Sequence, residues 1–138
     1  MSDHLESSNF EALDAFAFAP RRVDKPWGYE LIWAQTDQYV GKQLFVKAGE
    51  ALSLQFHRVK DEVIYVESGR VEFTLGAPGE AVPKTEVVGP GAAFHVTPGV
   101  VHRMRALEDS LLLEASTPHL DDVVRLEDAY GREGTSAP

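Results

Sequence analysis

Apolar and polar positions alternate along most of this chain in short runs, and the runs are punctuated by Gly, Pro and Asp. Trp27 to Trp33 is rich in aromatic and β-branched residues and predicts a strand. Tyr39 to Lys47 predicts a second, Gly49 a turn, and Leu52 to Arg58 a third. Val63 to Val66 is apolar on both faces, the pattern of a strand buried on both sides. With Val71 to Leu75 it flanks Glu67, Ser68, Gly69 and Arg70, which predicts a hairpin. A surface loop is expected from Gly76 to Pro83. Thr85 to Val88, Ala93 to Thr97, His102 to Ala106 and Leu111 to Ser116 complete the series. Many short strands at regular turn spacing predict an all-β, antiparallel fold, closed or double-sheeted: a barrel or jelly roll.

The two ends break this pattern. Residues 1–22 form an arm in which Ser8 and Glu11 fit a capping box and Phe10, Leu13 and Phe16 recur at helical spacing. A short amphipathic helix is expected there, its phenylalanines docking on a neighbouring subunit. Pro20 and Pro26 bracket a break before the first strand. Residues 121–131 mix acids with apolar side chains and are expected to pack along the barrel without extending it. One domain is therefore placed at 23–132, with a frayed tail at 133–138.

Composition narrows the chemistry. The 138 residues include no cysteine, which excludes disulfides and thiolate-bound metal. Thirteen basic against 22 acidic side chains give a net charge of −9, unfavourable for a nucleic-acid or anionic-membrane partner. No apolar stretch approaches the roughly 20 residues of a membrane span, and the first residues lack the features of a secretory signal. A cytoplasmic protein is expected.

Candidate chemistry lies in residues 49–69. Strand alternation puts Ser53, Gln55 and His57 on one face and Leu52, Leu54 and Phe56 on the other. The plain reading is a polar face turned to water. Against it, Glu62 follows a bend made by Arg58 to Asp61, from which its carboxylate can swing toward His57. Thr97, Pro98 and Gly99 form a tight turn that delivers His102 to a later strand. One amide oxygen, two imidazoles and one carboxylate suit Zn, Mn, Fe, Co or Ni, whereas Mg and Ca prefer all-oxygen shells. Gln55, His57, Glu62 and His102 are thus the candidate ligands of one divalent transition metal. His95 reads as a packed or surface histidine, and His4 and His119 as incidental.

Gly49, Gln55, His57, Glu62 and Gly69 resemble the first cupin motif in spacing, and Thr97 to His102 resembles the second. Two positions depart: Gln55 stands where the motif has its first histidine, and Ala106 where it usually has asparagine. A Gln-x-His pair with a later Glu and His resembles the metal set of phosphomannose isomerases. Lys25-Pro26-Trp27-Gly28, Leu52 to His57 and Asp121 to Arg132 are similar to the isomerase domain of the type II mannose-6-phosphate isomerases. The resemblance covers about residues 24–132. It implies a single cupin jelly-roll barrel. No accompanying nucleotidyltransferase is expected, since no Gly-rich phosphate loop precedes a helix. Further histidines usual after the Gln-x-His pair are replaced here by Arg58 and Val59.

The activity so implied is aldose–ketose isomerisation of a sugar phosphate, of the mannose-6-phosphate/fructose-6-phosphate type, through a metal-stabilised enediolate. Neutral Gln55 leaves one formal negative charge in the ligand set, from Glu62, so the cation stays strongly electrophilic. Lys60 and Arg103 are the candidate catalytic residues, Lys60 first. A lysine base needs its pKa lowered toward 7, and the simpler reading of Lys60 is a solvated side chain in a charged bend. Strict pleat geometry turns Arg103 away from His102 unless a bulge intervenes; Arg58 and Arg105 rank with it as anion contacts. The alternative is a non-catalytic small metal-binding cupin that binds a sugar or metabolite; an iron dioxygenase is disfavoured by Gln55 and by only two histidines. Apolar material in the Trp27–Trp33 strand and the arm predicts a homodimer.

Overall fold

The structure, a computed structural model, describes residues 13–78 and 82–134. Eleven strands appear among them: β1 (Arg21–Lys25), β2 (Gly28–Gln35), β3 (Val40–Val46), β4 (Leu54–Phe56), β5 (Glu62–Ser68), β6 (Val71–Gly76), β7 (Lys84–Val88), β8 (Ala93–Val96), β9 (Val101–Ala106), β10 (Ser110–Ser116) and β11 (Val124–Glu127). They form two antiparallel sheets. The first has six strands in the order β1-β2-β3-β10-β5-β8, and the second five in the order β11-β4-β9-β6-β7. This is the expected all-β jelly roll.

The sheets close on Trp27, Leu44, Val46, Ile64, Val66, Val71, Phe73, Met104, Ala106 and Leu112, all buried. Strand period explains the set: Leu44 and Val46 of β3 face Leu112 of β10, which pairs with Val66 of β5. Phe73 stacks on Phe94 at 4.2 Å between centroids. Trp27, Leu44 and Met104 of this set also line a cavity whose remaining lining is largely charged.

Four expectations change. β5 and β6 do not make a hairpin: they belong to different sheets, so residues 67–70 turn a corner between them. Gly69 sits at that corner with φ +98°, and a Cβ there would lie 2.2 Å from Ser110 Oγ. Val63 and Tyr65 of β5 face outward and are exposed, while Ile64 and Val66 are sealed. The all-apolar run is therefore one buried and one exposed face. Residues 21–25, read as a break, pair with β2 over their whole length. Residues 124–127 pair with β4 and so extend the second sheet.

Of the arm helix, Leu13 and Asp14 begin one turn, with the amides of Phe16 and Ala17 donating to the Leu13 and Asp14 carbonyls. Ser8, Phe10 and Glu11 lie outside the described residues, as do His4 and residues 79–81. Among the described residues no helix is long and apolar enough to cross a membrane.

Candidate metal centre

Three elements converge at the charged cavity. β4 is only three residues long, and the chain beyond Phe56 leaves the sheet with His57, then bends through 58–61 into β5. The turn at 97–99 is tied to that exit, since the Gly99 amide donates to the His57 carbonyl at 2.8 Å. β9 then brings His102 opposite Gln55 in register. Residues distant in sequence thus reach one point because β4 and β9 are neighbours.

His57, Glu62 and His102 are buried, and one potential ligand atom from each lies within 4.8 Å of the others. His57 Nε2 stands 2.6 Å and His102 Nε2 3.5 Å from Glu62 Oε2. Close as they are, neither His57 Nε2 nor Glu62 Oε2 has a hydrogen bond of acceptable geometry. Two buried polar atoms left so are costly unless a third body satisfies them, and a divalent cation fits that need.

Backbone carbonyls hold both imidazoles in one orientation. The Nδ1 of His102 faces the Val100 carbonyl at 2.9 Å, and that of His57 faces the Asp122 carbonyl. Each ring thereby donates from Nδ1 and turns Nε2 toward the centre, the orientation metal-bound histidines show. Burial alone would push the Glu62 carboxyl up, but the imidazoles of His102 and His57 and the Lys60 ammonium outweigh it and hold it well below its ordinary range. Gln55 lines the same cavity, and its Oε1 accepts from buried Ser53 Oγ at 2.6 Å. His57, Glu62 and His102 are therefore brought together, and Gln55 lines the same cavity, opposite His102 in register.

Lys60 is not a solvated side chain. It is buried, with Nζ 3.0 Å from Glu114 Oε2 and 3.8 Å from Glu62 Oε1. Burial pulls its pKa down, yet Glu114 and Glu62 raise it above the ordinary lysine value, so its surroundings favour the ammonium over a free base. Arg103 does not reach the cavity: its guanidinium lies 3.4 Å from Glu127 on the outer side of the second sheet. Arg105 likewise pairs with Glu72, and Arg58 is exposed. No bulge intervenes between β6 and β9 to turn Arg103 inward.

Other cations take that place. The cavity, about 290 Å³, is also lined by Lys25, Lys42, Arg125 and Arg132. Lys42 is balanced by Glu30 at 3.1 Å and Glu114 at 3.8 Å. Burial lowers Lys25, and Lys42, Arg132 and Arg125 add to the effect against Glu30; burial and Arg132 likewise lower Arg125. Lys25, Arg125 and Arg132 are thus close enough to repel one another, with Arg132 also paired to Asp128 at 2.8 Å. Sequence reasoning missed Lys25, Arg125 and Arg132 because they sit in or beside β1 and β11, the two strands it did not expect; Lys42 lies in the expected strand β3, and nothing local signals that it faces inward. His95 pairs with Asp61 at 2.8 Å on the surface, and His119 contacts Thr117.

Comparison with known proteins accords with this geometry. The family described as "Cupin domain" matches residues 41–119. Xanthan biosynthesis protein XanB of Xanthomonas campestris pv. campestris is 36% identical over 118 residues, covering 81% of this chain and 24% of that protein. Mannose-1-phosphate guanylyltransferase ManC of Salmonella typhimurium is 32% identical over 118 residues, covering 81% and 23%. The chain thus spans about a quarter of the length of the curated relatives it matches. Among solved structures, the capsular polysaccharide assembling protein CapF of Staphylococcus aureus superposes with a TM-score of 0.72 at 16% identity, covering 91% of this chain and 35% of that one, a likeness of fold.

Proposed function

The chain belongs to the cupin domain family, and on that premise we propose that it is a metal-dependent sugar-phosphate isomerase of the mannose-6-phosphate/fructose-6-phosphate type. One observation carries the reading: a single cavity is lined both by Gln55, His57, Glu62 and His102 and by Lys25, Arg125 and Arg132. A phosphorylated sugar has a carbonyl end and a dianionic end that suit those two groups of side chains. Relatives whose names include mannose-1-phosphate guanylyltransferase point to the same substrate class.

His57, Glu62 and His102, with Gln55 beside them, would hold a divalent metal, which would supply Lewis-acid polarisation of the substrate. The chain's own residues do the rest. Lys25, Arg125 and Arg132 hold the phosphate, Arg132 being oriented by paired contacts to Asp128 at 2.8 and 3.1 Å. The reaction moves one proton between C2 and C1, so a group must take it and return it. Lys60, kept as an ammonium, offsets the negative charge that develops on oxygen. In this reading Glu114, which lines the cavity 3.0 Å from Lys60, would accept and return the proton.

Incubating the protein loaded with Zn, Mn, Co or Fe with mannose 6-phosphate should yield fructose 6-phosphate. No turnover with any of the four metals would sink the isomerase reading for that substrate. A second reading, a metal-binding cupin that holds the sugar phosphate without converting it, is favoured by the engagement of Lys60 with two carboxylates. Saturable binding without turnover would decide for it. We further propose a homodimer, supported by a contiguous apolar outer face on the six-stranded sheet, including Trp33, Tyr39, Val63 and Tyr65. Sedimentation of a monomer at micromolar concentration would rule that assembly out.

A further inference from the structure

The segment after β10 braces the metal ligands and carries the cations. Asp122 stands near its start. The Asp122 carboxylate accepts hydrogen bonds from three consecutive amides, those of Arg58 at 3.0 Å, Val59 at 2.7 Å and Lys60 at 2.8 Å. Its backbone carbonyl faces His57 Nδ1. Three amides converging on one carboxylate define the bend at 58–60, and that bend sets the direction in which His57 leaves the sheet and Glu62 enters β5. Asp122 therefore acts on the centre twice, through the ring of His57 and through the backbone beside it.

The same segment then places Arg125 in β11 and Arg132 beyond it. The Gly134 amide donates to the Arg125 carbonyl at 2.8 Å, folding the end back on β11. Tyr130 Oη donates to Glu50 at 2.6 Å, fixing the segment to the turn before β4. A bound metal needs the bend in place; an anion held by Arg125 and Arg132 needs β11 seated. Asp122 is the contact between those two requirements.

We propose that Asp122 is a positioning residue that clamps the 58–60 bend to the 117–134 segment, so that metal binding and anion binding in the cavity favour each other. Whichever occupant arrives first holds the clamp closed and lowers the ordering cost of the second, and the effect is reciprocal. The inference rests on Lys25, Arg125 and Arg132 as an anion pocket, taken from the reading above, and does not need isomerisation.

Titrating the full chain with Co(II), followed by its visible absorption with and without inorganic phosphate, tests this. In the wild type phosphate should tighten Co(II) binding by roughly 5- to 150-fold, the usual span of such couplings. Asp122→Asn turns an amino group toward the amides; it should weaken Co(II) by about 10- to 100-fold and abolish the phosphate effect. Arg132→Gln removes a cation of the anion pocket but leaves the Asp122 contacts to the 58–60 amides in place, so the phosphate effect should collapse while Co(II) affinity without phosphate falls by less than in Asp122→Asn. This second variant keeps the idea testable even if Asp122→Asn does not fold. Wild-type Co(II) affinity in Asp122→Asn, a surviving phosphate effect in either variant, or equal Co(II) losses in both without phosphate would overturn the proposal. Phosphate binding to the metal-free protein, read by ³¹P line width, separates a failed anion pocket from a failed coupling. Neither titration measures turnover, so the coupling is decided whether or not the protein isomerises a sugar phosphate.

Discussion

On the inner face of the six-stranded sheet Lys42, Glu62 and Glu114 are nearly sealed from solvent, whereas on its outer face Trp33, Tyr39, Val63 and Tyr65 are between 39% and 55% exposed. Ordinary half-buried sheets show the reverse, apolar inside and polar outside. The inner charges are tolerated because they form a chain: Glu30 with Lys42, Lys42 with Glu114, Glu114 with Lys60, and Lys60 with Glu62 beside the histidines. Opposite charges in succession limit the desolvation cost, although such a chain remains a poorer stabiliser than packed leucines. The inner face thus keeps buried charges at some expense of stability.

Breaking the inner chain should give the largest effect. Glu114→Ala leaves Lys42 and Lys60 buried without their shared partner and should cost about 3–5 kcal/mol, read as a fall in the urea midpoint. Combining Glu114→Leu with Lys60→Met should recover much of it. An unchanged midpoint in Glu114→Ala would show that the chain of ion pairs does not support the barrel.

Next in size is the metal set. His102→Ala or Gln55→Ala should lower the metal content of the purified protein, measured by elemental analysis. Full stoichiometric content in either variant would count directly against the centre.

Acidification probes the brace on the inner face. At Asp122 burial is outweighed by the amides of Lys60, Arg58 and Val59, and at Asp128 the Arg132 contact dominates, so both carboxyls lie below their ordinary value. A carboxyl whose folded pKa lies below its unfolded value near 3.9 contributes stability above that value. The contribution is lost as pH falls from about 5 through the folded pKa values. Thermal unfolding should therefore fall more steeply with acid in the wild type than in an Asp122→Asn, Asp128→Asn double variant. Parallel curves would remove this role from the two carboxylates.

The smallest effect on stability belongs to the outer face. Tyr65→Glu should change monomer stability by only about 0.5 kcal/mol, as for other exposed positions, while shifting sedimentation from dimer to monomer. A dimer that survives it uses another surface.

Much of this was legible along the chain. Gln55, His57, Glu62 and His102 could be read because short-range spacing, a strand, a bend and a turn, already constrains where such side chains point. Arg125 and Arg132 could not, since their role depends on β11 pairing with β4, a contact between residues about seventy apart. Arg103 was tied to the site by proximity in sequence to His102, and strand alternation sent it to Glu127 instead. Lys60 read as solvated because nothing nearby announces Glu114, which arrives from β10.

Alternation, turn residues and the spacing of Gln55, His57 and Glu62 are local properties, and from them the chain alone determined an antiparallel β fold and candidate metal ligands; that His102 lies opposite Gln55 depends on β4 pairing with β9. Which face of β5 turned inward, where the chain crossed between sheets at Gly69, and which cations joined the cavity were decided only by tertiary packing. Period-two patterning defines two faces without saying which one is buried, and electrostatic partners are chosen by proximity in space.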